Sequence, residues 1–274
     1  MFKFFNSEDS KEIMIAGGCS YTTDQYVPHR KPTKEELENP PWFGHPRTPA
    51  PWTKWPALLM EMIGKQYELH NTAESGMGNN QITERVLEKI YTYKSAVKLV
   101  VIGWSEITRY HVFNQRGNIT YTPIDFSDKT GVDIQSRLLQ VFWGMNGYES
   151  AINQYYNNII TIQTVCDYYN IPLLMIQNCE LYTFPNPGSW HNLSPNEYVR
   201  AEGKLKRYFL YHPLADQINE NIFWRWPTIA NNTSVQRCLD QEKEVISRSD
   251  SHPNALGHVK IATIMKELYD NNYN

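Results

Sequence analysis

Three short apolar runs constrain what this chain can fold into: residues 12–17 (EIMIAG), 98–103 (KLVVIG) and 172–176 (PLLMI). Each is apolar at consecutive rather than alternate positions, the pattern of a strand covered on both faces. Strands of that kind lie in parallel sheets between helices, and helical patterns do separate them here. Residues 55–62 (WPALLMEM) carry Pro56 in a first turn, where proline is well placed. Residues 81–94 put Ile82, Val86, Leu87 and Ile90 on one helical face, and 149–169 carry a broad apolar stripe from Ile152 to Cys166. A weaker strand is read at 67–70, ending at Asn71, and the chain closes with an amphipathic helix over 256–269. Strands alternating with helices predict an α/β fold around a mainly parallel sheet.

The rest reads as insertions into a single domain spanning 1–274, at about 23–51, 110–147 and 180–245. The first is polar, proline-rich and too long for an ordinary connection, so it reads as a covering or functional loop. The second breaks the alternation with a strand-like segment at 119–124, and the third has no clear period. A chain of 274 residues buries a core without staples. Four cysteines, Cys19, Cys166, Cys179 and Cys238, are scattered without a C-x-x-C, which argues against a zinc ribbon or a disulfide scaffold. Net charge is −3 with no Lys/Arg cluster, so no nucleic-acid partner is expected. No run reaches the roughly 18 apolar residues of a membrane span. The start turns polar at Asn6 and charged at Glu8, too early for a signal peptide, so the expected location is cytoplasmic. His29, His45, His111, His191 and His212 lack ligand spacing, and neither metal nor cofactor is expected.

Ligand sites of parallel sheets lie beyond the carboxyl ends of the strands, so the segments that follow each strand matter most. After the first comes Gly17-Gly18-Cys19-Ser20-Tyr21-Thr22. A serine on such a turn is either a nucleophile with its own N–H as oxyanion donor or a cap. After the second comes Asn71 to Asn80, with Gly76, Gly78 and Asn79, a loop that either brings N–H groups to a ligand or is capped by its own asparagines. The third ends in Gly103-Trp104-Ser105-Glu106. Ser249-Asp250-Ser251-His252-Pro253-Asn254 precedes the last helix. A carboxylate beside a histidine is the pairing a general base needs, although a histidine there also serves as a cap. Arg109 suits either a substrate carboxylate or an ion pair with Glu106.

The order of these four segments resembles the four blocks of the SGNH (GDSL-like) hydrolases, across nearly the whole chain from Ile13 to Leu268. The GCS-aromatic-Thr first block, the Trp55-Pro56-x-Leu58-Leu59 helix and Gly-x-x-Asn79-x-x-Ile82 resemble a divergent type common among bacteriophage-encoded members. The resemblance implies a flavodoxin-like three-layer α/β/α sandwich and a serine esterase without cofactor. It implies Ser20 as nucleophile, His252 as base, Asp250 as its orienter, and the N–H groups of Ser20 and Gly76 as oxyanion donors.

The sequence departs from that pattern in three places. Cys19 replaces the aspartate of GDS, and a thiol nucleophile there is a conceivable alternative. Ser105 replaces the asparagine of Gly-x-Asn, a third oxyanion donor; Ser105 Oγ or the Asn79 amide could take its place. Asp250 lies two residues before His252 where the family has three, and Ser249 occupies the usual position. The substrate expected is a small acyl ester or an acylated carbohydrate; the other reading is a catalytically impaired glycan-binding or virion module. Aromatics make up 13% of the chain, and many fall in or beside the insertions: Trp42, Phe43, Trp52 and Trp55, then Tyr110, Phe113 and Tyr121, then a set including Phe209, Phe223, Trp224 and Trp226. They are expected to form a wall around the substrate.

Overall fold

The computed structural model describes residues 11–24, 52–107, 109–114, 117–121, 134–181, 203, 206–227, 234–247 and 250–274, with the side chains of 110–148 and 247 outside the description. In chain order the elements are β1 (Ile13–Gly18), α1 (Trp55–Met62), β2 (Glu68–Asn71), α2 (Asn79–Tyr93), β3 (Val97–Trp104), β4 (Tyr110–Asn114), β5 (Gly117–Tyr121), α3 (Ile134–Tyr169), β6 (Leu173–Gln177), α4 (Val235–Cys238), β7 (Val245–Ser247), β8 (Asp250–Pro253) and α5 (Ala255–Tyr273).

Four strands form one sheet in the order β2-β1-β3-β6, all parallel. That is the first part of the doubly wound 2-1-3-4-5 order. Along each central strand the side chains alternate between two apolar layers, because successive residues of a strand face opposite sides. Ile13, Ile15, Val100, Ile102 and Met175 pack with Ile82, Val86 and Ile90 of α2 and Ile152 to Ile162 of α3. Met14, Ala16, Leu99, Val101 and Leu174 pack with Trp55 and Leu59 of α1 and Ile261, Ala262 and Met265 of α5. The result is the α/β/α sandwich, and the consecutive apolar runs follow from two buried faces.

Register aligns the carboxyl edge of the sheet. Gly18 pairs with Gly103, and Trp104 with Gln177, so the carboxyl ends of β1, β3 and β6 finish together. Beyond β6, among the described residues, the sheet adds a parallel bridge from Met175 to Phe223, with Trp224 N–H donating to Met175 O at 2.9 Å. The irregular chain there covers an edge that would otherwise offer unpaired backbone groups.

Two expectations change. The helix expected at 149–169 begins at Ile134, so the latter part of the 110–147 insertion belongs to α3. Gly144 and Gly147 interrupt the apolar stripe, and each glycine costs about 1 kcal/mol in a helix. Among the described residues, the rest of that insertion is the antiparallel β4–β5 hairpin. The aromatic wall is also redrawn. Trp55, Phe209 and Phe223 are fully buried in the core. Phe209 lies 5.1 Å from Tyr156 and Trp226 lies 4.9 Å from Phe223, ring to ring. Tyr156 OH donates to Phe209 O at 2.7 Å. These rings fill space between α3 and the chain that follows β6. Trp42 and Phe43 lie outside the described residues, as do the side chains of Tyr110, Phe113 and Tyr121. Among the described residues no helix is long and apolar enough to cross a membrane.

Candidate active site

The chain turns sharply after β1. Cys19 O accepts from both Thr22 N–H (2.9 Å) and Thr23 N–H (3.0 Å), which leaves Ser20 at the head of the turn, 8% exposed. Gly103 permits a close crossing beside it: a β-carbon there would stand 2.0 Å from Asn178 Nδ2. Asn178 uses that amide to donate to Thr22 Oγ1 at 2.9 Å, tying the loop after β6 to the turn that carries Ser20.

The β7–β8 pair brings the C-terminal motif to the same place. Tyr21 OH donates to Ser251 O at 2.9 Å, and Gln236 Nε2 donates to Ser251 Oγ at 3.1 Å. Asn254 caps α5, its Oδ1 accepting from Gly257 N–H at 3.1 Å, while its amide donates to Val245 O at 2.9 Å. His252 is thereby fixed with Nε2 at 2.7 Å from Ser20 Oγ and Nδ1 at 2.6 Å from Asp250 Oδ1. A carboxylate accepts only, so Nδ1–H donates to Asp250 and Nε2 is left to accept the Ser20 hydroxyl. Asp250 Oδ1 also accepts His252 N–H at 3.1 Å. The two-residue spacing works because Asp250 and His252 lie on a strand, where residues i and i+2 share a face. Ser249 lies outside the described residues.

The opposite side of the site is built by the loop after β2. Gly76 has φ +83°, a conformation that strains any residue with a β-carbon, and Glu74 N–H reaches Gly18 O at 3.4 Å. The Asn79 amide is committed to the loop after β3: Nδ2 donates to Ser105 O (3.2 Å) and Glu106 O (3.3 Å), and Oδ1 accepts Ser105 N–H (2.8 Å). Gln177 Nε2 donates to Ser105 O as well, at 2.9 Å, and its own Oε1 is held by Tyr155 OH at 2.6 Å. Ser105 is thus gripped through its backbone, while its buried Oγ has no hydrogen-bond partner among the described residues. Arg109 pairs with Glu106, Nη2 to Oε1 at 3.1 Å.

Cys19 is fully buried, with Sγ 3.7 Å from Cys179 Sγ. That thiol–thiol contact, with the Arg109 charge behind it, draws Cys19 below the ordinary thiol value; the same contact, with burial, holds Cys179 well above it. The sulfur is committed inside the fold. A polar cleft of about 600 Å³ adjoins the turn, lined by Thr23, Asp24, Asn71, Thr72, Glu74 and Arg85 among others. Among the described residues no three His, Cys, Asp or Glu side chains cluster as metal ligands.

Behind the site, His258 is wholly buried in the first turn of α5. Its Nδ1 accepts Trp55 N–H at 3.3 Å, which anchors the start of α1, and its Nε2 lies 3.3 Å from Lys54 Nζ. Burial, then the neighbouring Lys54 and His252, hold the His258 pKa well below the usual value. Burial lowers Lys54 to about 8. A histidine kept neutral in the folded state but free to protonate when unfolded makes stability fall with pH. The loss begins below the free imidazole value of about 6.5 and is complete once pH has passed the depressed folded value. The urea midpoint is therefore expected to drop between pH 7 and 5. His258→Asn, which keeps an acceptor but cannot take the proton, is expected to flatten that acid limb; an unchanged slope would remove His258 as its source.

Reading the residues that close and follow β6 in the same way as those after the other strands would have found Gln177 and Asn178. Tyr21 and Gln236 give no such signal, since their partner Ser251 is a backbone neighbour of the histidine. Compared with known proteins, the chain is similar to several solved structures. One is a lipolytic protein of the G-D-S-L family from Desulfitobacterium hafniense, at 11% identity over 94% of this chain and 99% of that one, TM-score 0.42. Another is an acetylxylan esterase from Geobacillus stearothermophilus, at 14% identity over 96% and 95%, TM-score 0.46. A third is an acylhydrolase from Bacteroides fragilis, at 12% identity over 98% and 90%, TM-score 0.40. No protein-family model matches the chain, and no curated protein matches it by sequence.

Proposed function

We propose that this protein is a serine esterase of the SGNH type that hydrolyses an O-acyl ester through an acyl-enzyme. The observation that carries the reading is the continuous line from Ser20 Oγ to His252 Nε2 (2.7 Å) and from His252 Nδ1 to Asp250 Oδ1 (2.6 Å). Each distance is within the reach that proton transfer needs before substrate arrives. Ser20 Oγ attacks the ester carbonyl while His252 Nε2 takes its proton, and Asp250 keeps the ring in the accepting tautomer and offsets its charge. The N–H groups of Ser20 and Gly76 receive the oxyanion, with Ser105 Oγ as a neutral third donor. Asn79 acts on Ser105 by holding its backbone. His252 returns the proton to the leaving alcohol, and water then repeats the sequence on the acyl-enzyme.

The leaving group we favour is a carbohydrate hydroxyl, the ester an O-acetyl group. Support comes from the 600 Å³ cleft that starts at Thr23, three residues past Ser20; Ser20 and His252 do not line it, and its polar lining, from Asn71 and Thr72 to Arg85 and Lys89, suits a polyhydroxylated group better than an alkyl chain. The test uses purified protein with p-nitrophenyl acetate and acetylated xylan, alongside a fluorophosphonate probe mapped by peptide sequencing. Turnover of the esters and an adduct on Ser20 are expected. A protein inert to all three, where a control esterase reacts, would instead be a binding module built on an esterase frame.

A further inference from the structure

Arg109 stands four residues beyond Ser105, where the chain leaves the active edge. Its main chain is pressed against the loop that carries Gly76: a β-carbon on Gly78 would lie 2.6 Å from Arg109 O and 3.4 Å from Arg109 Cβ. Its side chain is only 9% exposed. Nη2 donates to Glu106 Oε1, but Nε and Nη1 are buried without a hydrogen-bond partner among the described residues. The positive charge bears on Cys19 at the end of β1 and on Cys179 just past β6. Arg109 therefore lies where the loops after β2 and β3 meet, at the carboxyl edge of the sheet.

Buried donors left unmade are costly, most of all on a charged group. Two on one guanidinium, at the edge where the tetrahedral intermediate would form, call for an anion. The site also needs one. The amide usual at position 105 is missing, Asn79 has both ends of its amide engaged, and Ser105 offers a neutral hydroxyl.

We propose that Arg109 is the charged member of the oxyanion site, donating an N–H to the carbonyl oxygen of the ester as it gains charge. The inference rests on the esterase reading and deepens it. When Ser20 Oγ bonds to the carbonyl carbon, the C=O π pair moves onto oxygen and the serine proton moves to His252 Nε2. Arg109 exchanges no proton; it stabilises the oxygen until the C–O bond of the leaving group breaks and His252 protonates the departing alcohol. Glu106 holds the guanidinium in place and keeps the empty site near neutral.

The test is steady-state turnover of p-nitrophenyl acetate, a neutral ester, by wild type, Arg109→Gln, Arg109→Lys and the double variant Glu106→Gln/Arg109→Gln, each with a melting curve. Arg109→Gln is expected to lower kcat about 100-fold, the scale of a lost oxyanion donor, with KM within about threefold. Arg109→Lys should lose less. Fluorophosphonate labelling of Ser20 should slow in step, because the phosphonyl oxygen occupies the same position. If Arg109→Gln does not fold, the double variant, which leaves no buried lone carboxylate, gives the same comparison. A folded variant within threefold of wild-type kcat overturns the proposal, as does a loss confined to KM. A wild type that neither turns over esters nor labels would overturn the esterase reading, and this inference with it.

Discussion

Alanine at position 20 is expected to leave a folded protein that hydrolyses p-nitrophenyl acetate about 10⁵–10⁶-fold more slowly than wild type, the scale on which a serine nucleophile is lost elsewhere. Only the Oγ is removed, and with it the 2.7 Å hydrogen bond to His252 Nε2. The backbone N–H of residue 20 stays, so the oxyanion donors remain in place and some acceleration over water should persist. The melting temperature should move little, because one hydrogen bond, here a buried one, is worth about 1 kcal/mol. The neighbouring thiol is no substitute: Cys19 is fully buried and faces Cys179. The measurements are kcat, the melting curve and probe labelling. Residual activity within about tenfold of wild type, or an adduct that moves to Cys19, would remove Ser20 from the chemistry.

How much of the fold could be read in advance depended on how periodic each segment is. β1, β3 and β6 announce themselves because two apolar layers require consecutive apolar residues, and the observed bounds differ from the expected ones by a residue at either end. α3 was shortened by the two glycines in its first half. Residues 206–227 gave no period because their apolar side chains reach the core from a patchwork: Phe209 from a helical stretch of five described residues, Ile218 and Ile222 from 3-10 segments and their ends, and Phe223 from an isolated bridge. No helical or strand repeat orders them, so core aromatics passed for a substrate wall.

The site was readable in a different way. Ser20, His252 and Asp250 were singled out by block order, and the distances now join them. What the sequence could not supply was the conformation around each. The Asp250–His252 spacing looked short until β8 turned out to be extended, which places both side chains on one face. Asn79 looked free to serve the oxyanion, yet a clamp on Ser105 and Glu106 depends on where the loop after β3 comes to rest, a contact between residues 26 and 27 positions apart. Arg109 was balanced between an ion pair and an anion site. The structure puts one nitrogen on Glu106 and leaves two without a partner among the described residues, so the two uses are compatible.

Asp250 offers a sharper test than removal alone, because one oxygen does both its jobs. Oδ1 accepts Nδ1–H and also the His252 backbone N–H, at 2.6 and 3.1 Å. Alanine removes orientation and charge together, and kcat is expected to fall about 10⁴-fold. Asparagine can keep its oxygen on the same two N–H groups, so the imidazole stays in the tautomer that accepts from Ser20. What it loses is the negative charge beside the imidazolium. At about 4 Å and an effective dielectric near 20 that attraction is about 4 kcal/mol, or about three decades in rate. Asp250→Asn should therefore sit about 10³-fold below wild type and above Asp250→Ala, with KM for p-nitrophenyl acetate near wild type in both. Should asparagine cost as much as alanine, its amide has turned its NH₂ toward Nδ1 and fixed the wrong tautomer. Should neither substitution lower kcat by more than tenfold, His252 is being oriented by another group, and the catalytic unit is a dyad of Ser20 and His252.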